Sequence, residues 1–175
     1  MRAVAFLRGM NLGRRRITND ELRAHFERAG FAGATPYQAS GNVVLDLDRE
    51  PSAVEPEIES RLADALGYPV DTHVRTLAEL ADLVASEATK APGDGFKVHV
   101  IFTRRPVDGE EAAALSALEG PDDRFRPLGR AVLWFRRGGL KDSGIRPADL
   151  EAALGPEQTM RTLGTVRRIV SKFGE

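Results

Sequence analysis

Thr35-Pro36-Tyr37-Gln38-Ala39-Ser40-Gly41-Asn42-Val43-Val44-Leu45-Asp46-Leu47 is the stretch on which the fold turns. Two extended pieces, around Pro36–Gln38 and Asn42–Leu47, flank Ala39-Ser40-Gly41, residue types that suit a chain reversal. The pattern fits a tight hairpin, and it fits one strand with a bulge equally well; the sequence leaves both open. Read as two strands, it completes the order β-α-β-β-α-β over residues 1–75, the split βαβ pattern of a ferredoxin-like unit.

On its N-terminal side, Arg2 to Arg8 reads as a strand, with Val4, Phe6 and Arg8 on one face and Ala3, Ala5 and Leu7 on the other. Thr18-Asn19-Asp20-Glu21 is a capping box opening a helix that buries Leu22, Phe26 and Ala29. Gly30 suits the left-handed position after that helix, and Phe31 folds back on Phe26. On the C-terminal side, Ser52 to Glu55 forms a second box for a helix with Val54, Ile58, Leu62 and Leu66 inward; Pro56 sets its start near Glu55. Gly67 ends that helix, Val70 to Arg75 is a short strand, and Thr76 to Glu79 caps a third helix carrying Leu77, Leu80, Leu83 and Val84.

Ala91-Pro92-Gly93-Asp94-Gly95 is a turn-rich connector and the expected boundary. Beyond it come a strand over Lys97–Phe102, a helix opened by Asp108 and carrying Ala112, Leu115 and Leu118, and a hairpin of Phe125–Leu128 with Ala131–Phe135. A helix over Pro147–Leu154 follows, and a last one over Thr162–Phe173. This half reads β-α-β-β-α, then a helix where a fourth strand would fall. The expectation is an α+β chain of two ferredoxin-like halves, the second incomplete or modified: residues 1–75, a helix and connector over 76–95, and 96–175. Element order alone relates the halves; no direct sequence repeat does.

Composition narrows the chemistry. An apolar share of 42% in 175 residues is enough to build a core. The absence of cysteine excludes disulfides, thiolate metal sites and a cysteine nucleophile. His25, His73 and His99 lie far apart and show no ligand spacing, so no metal or cofactor is expected. No apolar run approaches the roughly 20 residues of a membrane span, and Ala3–Leu7 is too short for a signal core, so the expected setting is cytoplasmic without a membrane partner. Net charge is −1, which gives no bulk attraction for nucleic acid. The charges are segregated: five arginines and no acid in residues 1–16, an acidic run over 46–64, and a basic final fifty residues. With only four lysines, the arginine content also fits a GC-rich coding bias.

Four groups of residues are candidates for a site. In Arg8 to Arg16, with Arg8, Asn11 and Gly13, glycines let backbone N–H groups turn toward an anion and arginine offers paired donors. Neither Gly-x-x-x-x-Gly-Lys-Ser/Thr nor Gly-x-Gly-x-x-Gly occurs there, and a glycine turn with solvated arginines is the plain alternative. Ser40, Gly41 and Asn42 offer a hydroxyl and an amide, or simply turn chemistry. Asp71, His73 and Arg75 alternate along one strand; they could do acid–base work, or form the wet face of an edge strand. Arg136, Arg137, Lys141, Arg161, Arg167 and Arg168 supply basic charge near the C-terminus, either a solvated face or a phosphate-facing patch.

Three segments, Leu7 to Gly13, Gln38 to Val44 and Val74 to Thr76, in this order and spacing, resemble the domain of unknown function 1697 (DUF1697) family of bacterial proteins. The resemblance implies paired ferredoxin-like halves and no particular reaction. The family's Thr-Arg-Asn-Trp-Asn-Thr-like segment reads Thr159-Met160-Arg161-Thr162-Leu163-Gly164-Thr165 here. Arg161 and Thr165 align, while the tryptophan and both asparagines are missing. Positions after Gly13 that are usually glycine or lysine are arginines.

The preferred expectation is a binding module for a small anionic or phosphorylated ligand, with Arg8, Asn11, Gly13, Ser40, Gly41, Asn42, Arg75 and Arg161 as its residues. The alternatives are a metal-independent hydrolase or transferase, with His73 or Asp71 moving a proton, and a protein that binds another macromolecule. Nucleic acid is the less favoured partner, because Phe6, Phe102, Trp134 and Phe135 read as core rather than as a stacking platform. Oligomeric state is left open.

Overall fold

The computed structural model describes residues 1–139 and 143–174, so Lys141 lies outside the described residues. Two compact units emerge, one of Met1–Leu80 with the chain from Ile169 onward, the other of Ala81–Arg168.

The first unit contains β1 (Arg2–Leu7), α1 (Asn19–Arg28), β2 (Thr35–Tyr37), β3 (Asn42–Asp46), α2 (Pro51–Leu66) and β4 (Thr72–Thr76). The sheet is antiparallel in the order β2-β3-β1-β4, the arrangement of a ferredoxin-like unit. The deciding stretch is therefore a hairpin. Gln38 and Gly41 take left-handed backbone angles, φ 59° and 72°, to reverse the chain. Ala3, Ala5 and Leu7 of β1, with Val43, Leu45 and Val74, pack against Leu22 and Phe26 of α1 and Val54, Ile58 and Leu62 of α2. The Thr18 box forms with both reciprocal hydrogen bonds, and Phe26 and Phe31 meet at 6.0 Å. The Ser52 box does not form. Helix α2 starts at Pro51, a turn earlier than the sequence suggests, because proline fits the first helical position and lacks the N–H that would go unsatisfied there.

The strand β4 leads without a break into α3 (Leu77–Ala85). The second unit then contains β5 (Phe96–Thr103), α4 (Gly109–Leu118), β6 (Asp123–Pro127), β7 (Ala131–Arg137), α5 (Pro147–Leu154) and β8 (Gln158–Thr162), followed by α6 (Leu163–Phe173). Its sheet order, β6-β7-β5-β8, repeats that of the first. Ile101, Val132 and Trp134 pack on Leu115 of α4 and on Leu150 and Leu154 of α5.

The expectation that a helix replaces the fourth strand here is corrected. Strand β8 pairs with β5 through five residues, and α6 comes after it. Its sequence, Gln158-Thr159-Met160-Arg161-Thr162, has no apolar alternation to announce a strand, yet Gln158 and Thr159 are buried. Phe6, Phe102, Trp134 and Phe135 are core residues, each at most 2% exposed. Among the described residues, no helix is long and apolar enough to cross a membrane.

Candidate functional site

The loop after β1 meets the β2–β3 turn at one end of the first sheet. Leu7 N–H donates to the Gly41 carbonyl at 2.8 Å. Asn11, with φ 57°, ties the two together. Its Nδ2 donates to Ala39 O at 3.0 Å, and its Oδ1 accepts from Ile17 N–H at 2.8 Å. Its own carbonyl accepts from Arg16 Nη1. Asn42 Nδ2 donates to Tyr37 O and to Ser40 Oγ, fixing the turn from within. A Cβ on Gly41 would lie 2.8 Å from Met10 Cγ, so glycine is what lets loop and turn close on each other. Gly13 takes φ 58° with open space around it. Arg8, Asn11, Gly13, Ser40, Gly41 and Asn42 thus belong to one region, where Asn11, Gly41 and Asn42 hold the backbone.

Its arginines are partly engaged. Arg8 Nη1 lies 3.6 Å from Asp71 Oδ2, with both side chains about one-third exposed at 31% and 32%. Arg15 stacks over the Tyr68 ring at 4.2 Å. Arg75, in β4, lies four residues after Asp71, which precedes the strand, about 13 Å away at strand rise, and is only 4% exposed. Its Nη1 is 3.4 Å from Glu55 Oε1 and donates to Val74 O at 2.8 Å. The wet-face reading of this strand is corrected: β4 is an edge strand, but His73 and Arg75 are buried. Arg161 lies in the second unit, its Nη1 donating to Thr159 Oγ1 and Met160 O. Burial pushes its guanidinium down to about 10.

A second constellation forms at one end of the second sheet. Cross-strand register pairs Lys97 with Arg136 and His99 with Trp134, and His99 with Thr162 on the other side. Partners in an antiparallel pair share a face, so Lys97, His99, Arg136 and Thr162 come together. They line a pocket of about 560 Å³, together with Leu163 and Arg167 from the first turns of α6.

Arg136 is 2% exposed, and its Nε and Nη1 have no hydrogen-bond partner among the described residues. Its Nη2 reaches Gly138 O only at 3.4 Å, and the guanidinium lies 5.2 Å from the Trp134 ring centre. His99 is 6% exposed, and its Nδ1 also has no partner among the described residues. Burial, then the Arg136 and Lys97 charges, lower its imidazole to about 4, so it is neutral near pH 7.

Sequence reasoning named Arg136 and Arg167 within a diffuse basic supply and missed Lys97 and His99. The available signal was two polar residues at period two, Lys97 and His99, opening an otherwise apolar strand. Only the β5–β7 pairing shows that Arg136, distant in sequence, stands beside them.

The comparisons bear on family and fold. Residues 1–133 match the family model described as "Protein of unknown function (DUF1697)". No curated protein matches the chain. Among solved structures it is similar to the conserved bacterial protein SP0830 from Streptococcus pneumoniae, with 16% identity and a TM-score of 0.76 over 99% of this chain and 98% of that one. At that identity the likeness speaks for the fold alone.

Proposed function

We propose that this chain, which belongs to the DUF1697 family of proteins of unknown function, is a binding module for a small anionic ligand, taken in the pocket at the end of the second sheet. One observation carries the reading: the Arg136 guanidinium is buried, with two donor nitrogens unanswered among the described residues. A buried charge without a partner costs several kcal/mol by general estimates, so such a group is expected to have an anion to meet. Arginine presents a planar fork that matches the oxygens of a carboxylate or phosphate. The first turn of α6 adds the positive end of a helix dipole on the same pocket.

The test is thermal unfolding of the whole chain against phosphate, carboxylates, sugar phosphates and nucleotides. A ligand binding only the native state at a hundred times its Kd stabilises by about 2.7 kcal/mol. For a chain of this length that is a rise of roughly 5–10 °C. Arg136→Met keeps the bulk and the contact with Trp134 while removing the charge. We expect this variant to fold at least as stably without ligand and to lose the ligand-induced shift. A flat response from the wild type across the panel would overturn the reading.

A further inference from the structure

We infer that the ligand of this pocket is an organic phosphate, a group of at least two negative charges on a carbon body, rather than a simple carboxylate or a bare inorganic ion. The inference rests on the anion-binding reading above and concerns which anion the site is built for.

Charge count is the first argument. Lys97, Arg136 and Arg167 all line the pocket, and none of the described lining residues is an acid. None of the three cations forms a salt bridge among the described residues. Elsewhere arginines commonly stand near carboxylates: Arg105 with Glu111 at 2.8 Å, Arg146 with Asp149 at 3.0 Å, Arg49 with Glu57 at 2.8 Å. In a chain of 25 basic and 26 acidic residues, three cations around one cavity without an acid form a local excess. A carboxylate would answer one of them. A phosphomonoester, carrying about −1.5 to −2 near neutral pH, answers more, and its three terminal oxygens can take the Arg136 fork and a second donor together. His99, neutral and beside Arg136, offers a further ring nitrogen without adding charge.

Room and wall composition are the second argument. Pockets of about 300–1,000 Å³ are the range for drug-sized ligands, and this one, at about 560 Å³, is much larger than a phosphoryl group needs. The rest of its lining includes Phe96, Val98 and Leu163. Leu163 is 3% exposed and opens α6 directly after Thr162, so an apolar residue stands beside the helix N-terminus. An anion at the cationic end would leave a carbon body against that apolar part.

Three probes separate the components by isothermal titration near pH 7.5 in low salt. Phenyl phosphate and benzoate share a ring and differ in head charge; inorganic phosphate has the head without the ring. We expect phenyl phosphate to bind at least ten times more tightly than either of the others. Lys97→Ala and Arg167→Ala should each weaken phenyl phosphate several-fold while changing benzoate less than twofold. Benzoate binding as tightly as phenyl phosphate would overturn the preference for phosphate and leave the small-anion reading standing. Inorganic phosphate binding as tightly as phenyl phosphate would overturn the requirement for a carbon body. Failure of all three probes, together with a flat thermal panel, would remove the anion site itself.

Discussion

His99 and Arg136 show how a buried polar pair can make stability depend on pH. The imidazole is held to about 4 in the folded chain, against an ordinary value of 6.5. Between those values the unfolded chain binds the proton and the folded chain resists it, so the His99 contribution to stability is lost as pH drops from about 6.5 to 4 and changes no further below. The displacement corresponds to at most about 3 kcal/mol across the full window, reduced by whatever solvent screens the site. His25 is lowered as well, by burial and then by Arg28, and contributes in the same direction. We therefore expect denaturant unfolding at pH 7 and at pH 4.5 to show a smaller loss of stability in His99→Gln than in the wild type. Equal losses in the two proteins would mean that His99 is not held neutral. Little of this was legible in the sequence. Isolated histidines carry no ligand pattern, whereas the residues of the glycine–arginine loop are contiguous and stand out in sequence. The structure gives Asn11 backbone work in that loop, and Gly41 and Asn42 backbone work in the turn it meets, a role that residue type alone cannot separate from ligand contact.

At the level of elements, the acidic segment over residues 46–64 acquires a physical role. In the β1–β4 pairing, Arg8 N–H donates to Asp71 O, which sets the alternation so that the N–H groups of Thr72, Val74 and Thr76 point away from the sheet. Each is met by a carboxylate. Glu59 Oε1 accepts from Thr72 and Glu55 Oε1 from Val74, both at 2.7 Å, and Glu79 Oε2 accepts from Thr76 at 2.7 Å. Glu55 and Glu59 lie one helical turn apart on α2, which matches two residues of strand closely enough to serve alternate edge positions. An open strand edge invites pairing with another chain, and this one is closed by side chains. Glu55 also faces buried Arg75. Glu55→Gln keeps an acceptor for Val74 but withdraws the charge opposite a buried guanidinium, with an expected cost of about 3 kcal/mol or more. Glu59→Gln keeps its acceptor for the Thr72 N–H, so about 1 kcal/mol is expected. Urea unfolding of both variants checks the order, and Arg75→Met in the Glu55→Gln background should restore part of the loss. The elements with apolar periodicity and a capping signal were legible in the sequence: α1, α4 and α5 appear where expected. Strand β8 was not, because its burial is of glutamine and threonine and its place is set by pairing with β5.

Across the whole molecule, the two units repeat more than an order of elements. Val74-Arg75-Thr76-Leu77 closes β4 and opens α3; Met160-Arg161-Thr162-Leu163 closes β8 and opens α6. Arg75 pairs with Val4 of β1, and Arg161 with Val100 of β5. In both, Nη1 donates to the preceding residue's carbonyl at 2.8 Å. A shared Arg-Thr-Leu is too short to read as a repeat until strand register aligns it, which is why element order was all the sequence offered. The units differ in how the chain closes them, since the first takes in residues from Ile169 onward. There Phe173 meets the Tyr37 ring edge-on at 5.5 Å, and Lys172 lies over the same ring at 5.2 Å. The edge strand β2, only three residues long, therefore has a contact partner far away in sequence. Phe173→Ala removes an aromatic pair and a half-buried ring, with an expected cost of about 1–2 kcal/mol to the first unit. Spectroscopy can locate that cost, because both tyrosines, Tyr37 and Tyr68, fall in the first unit and the single tryptophan, Trp134, in the second. The transition followed by tyrosine near-ultraviolet signal should move to lower denaturant by more than the one followed by tryptophan fluorescence. Equal displacement of both would mean that the residues after Ile169 act on the chain as one cooperative body rather than on the first unit, and a wild-type midpoint in the tyrosine signal would mean that β2 needs no support from Phe173.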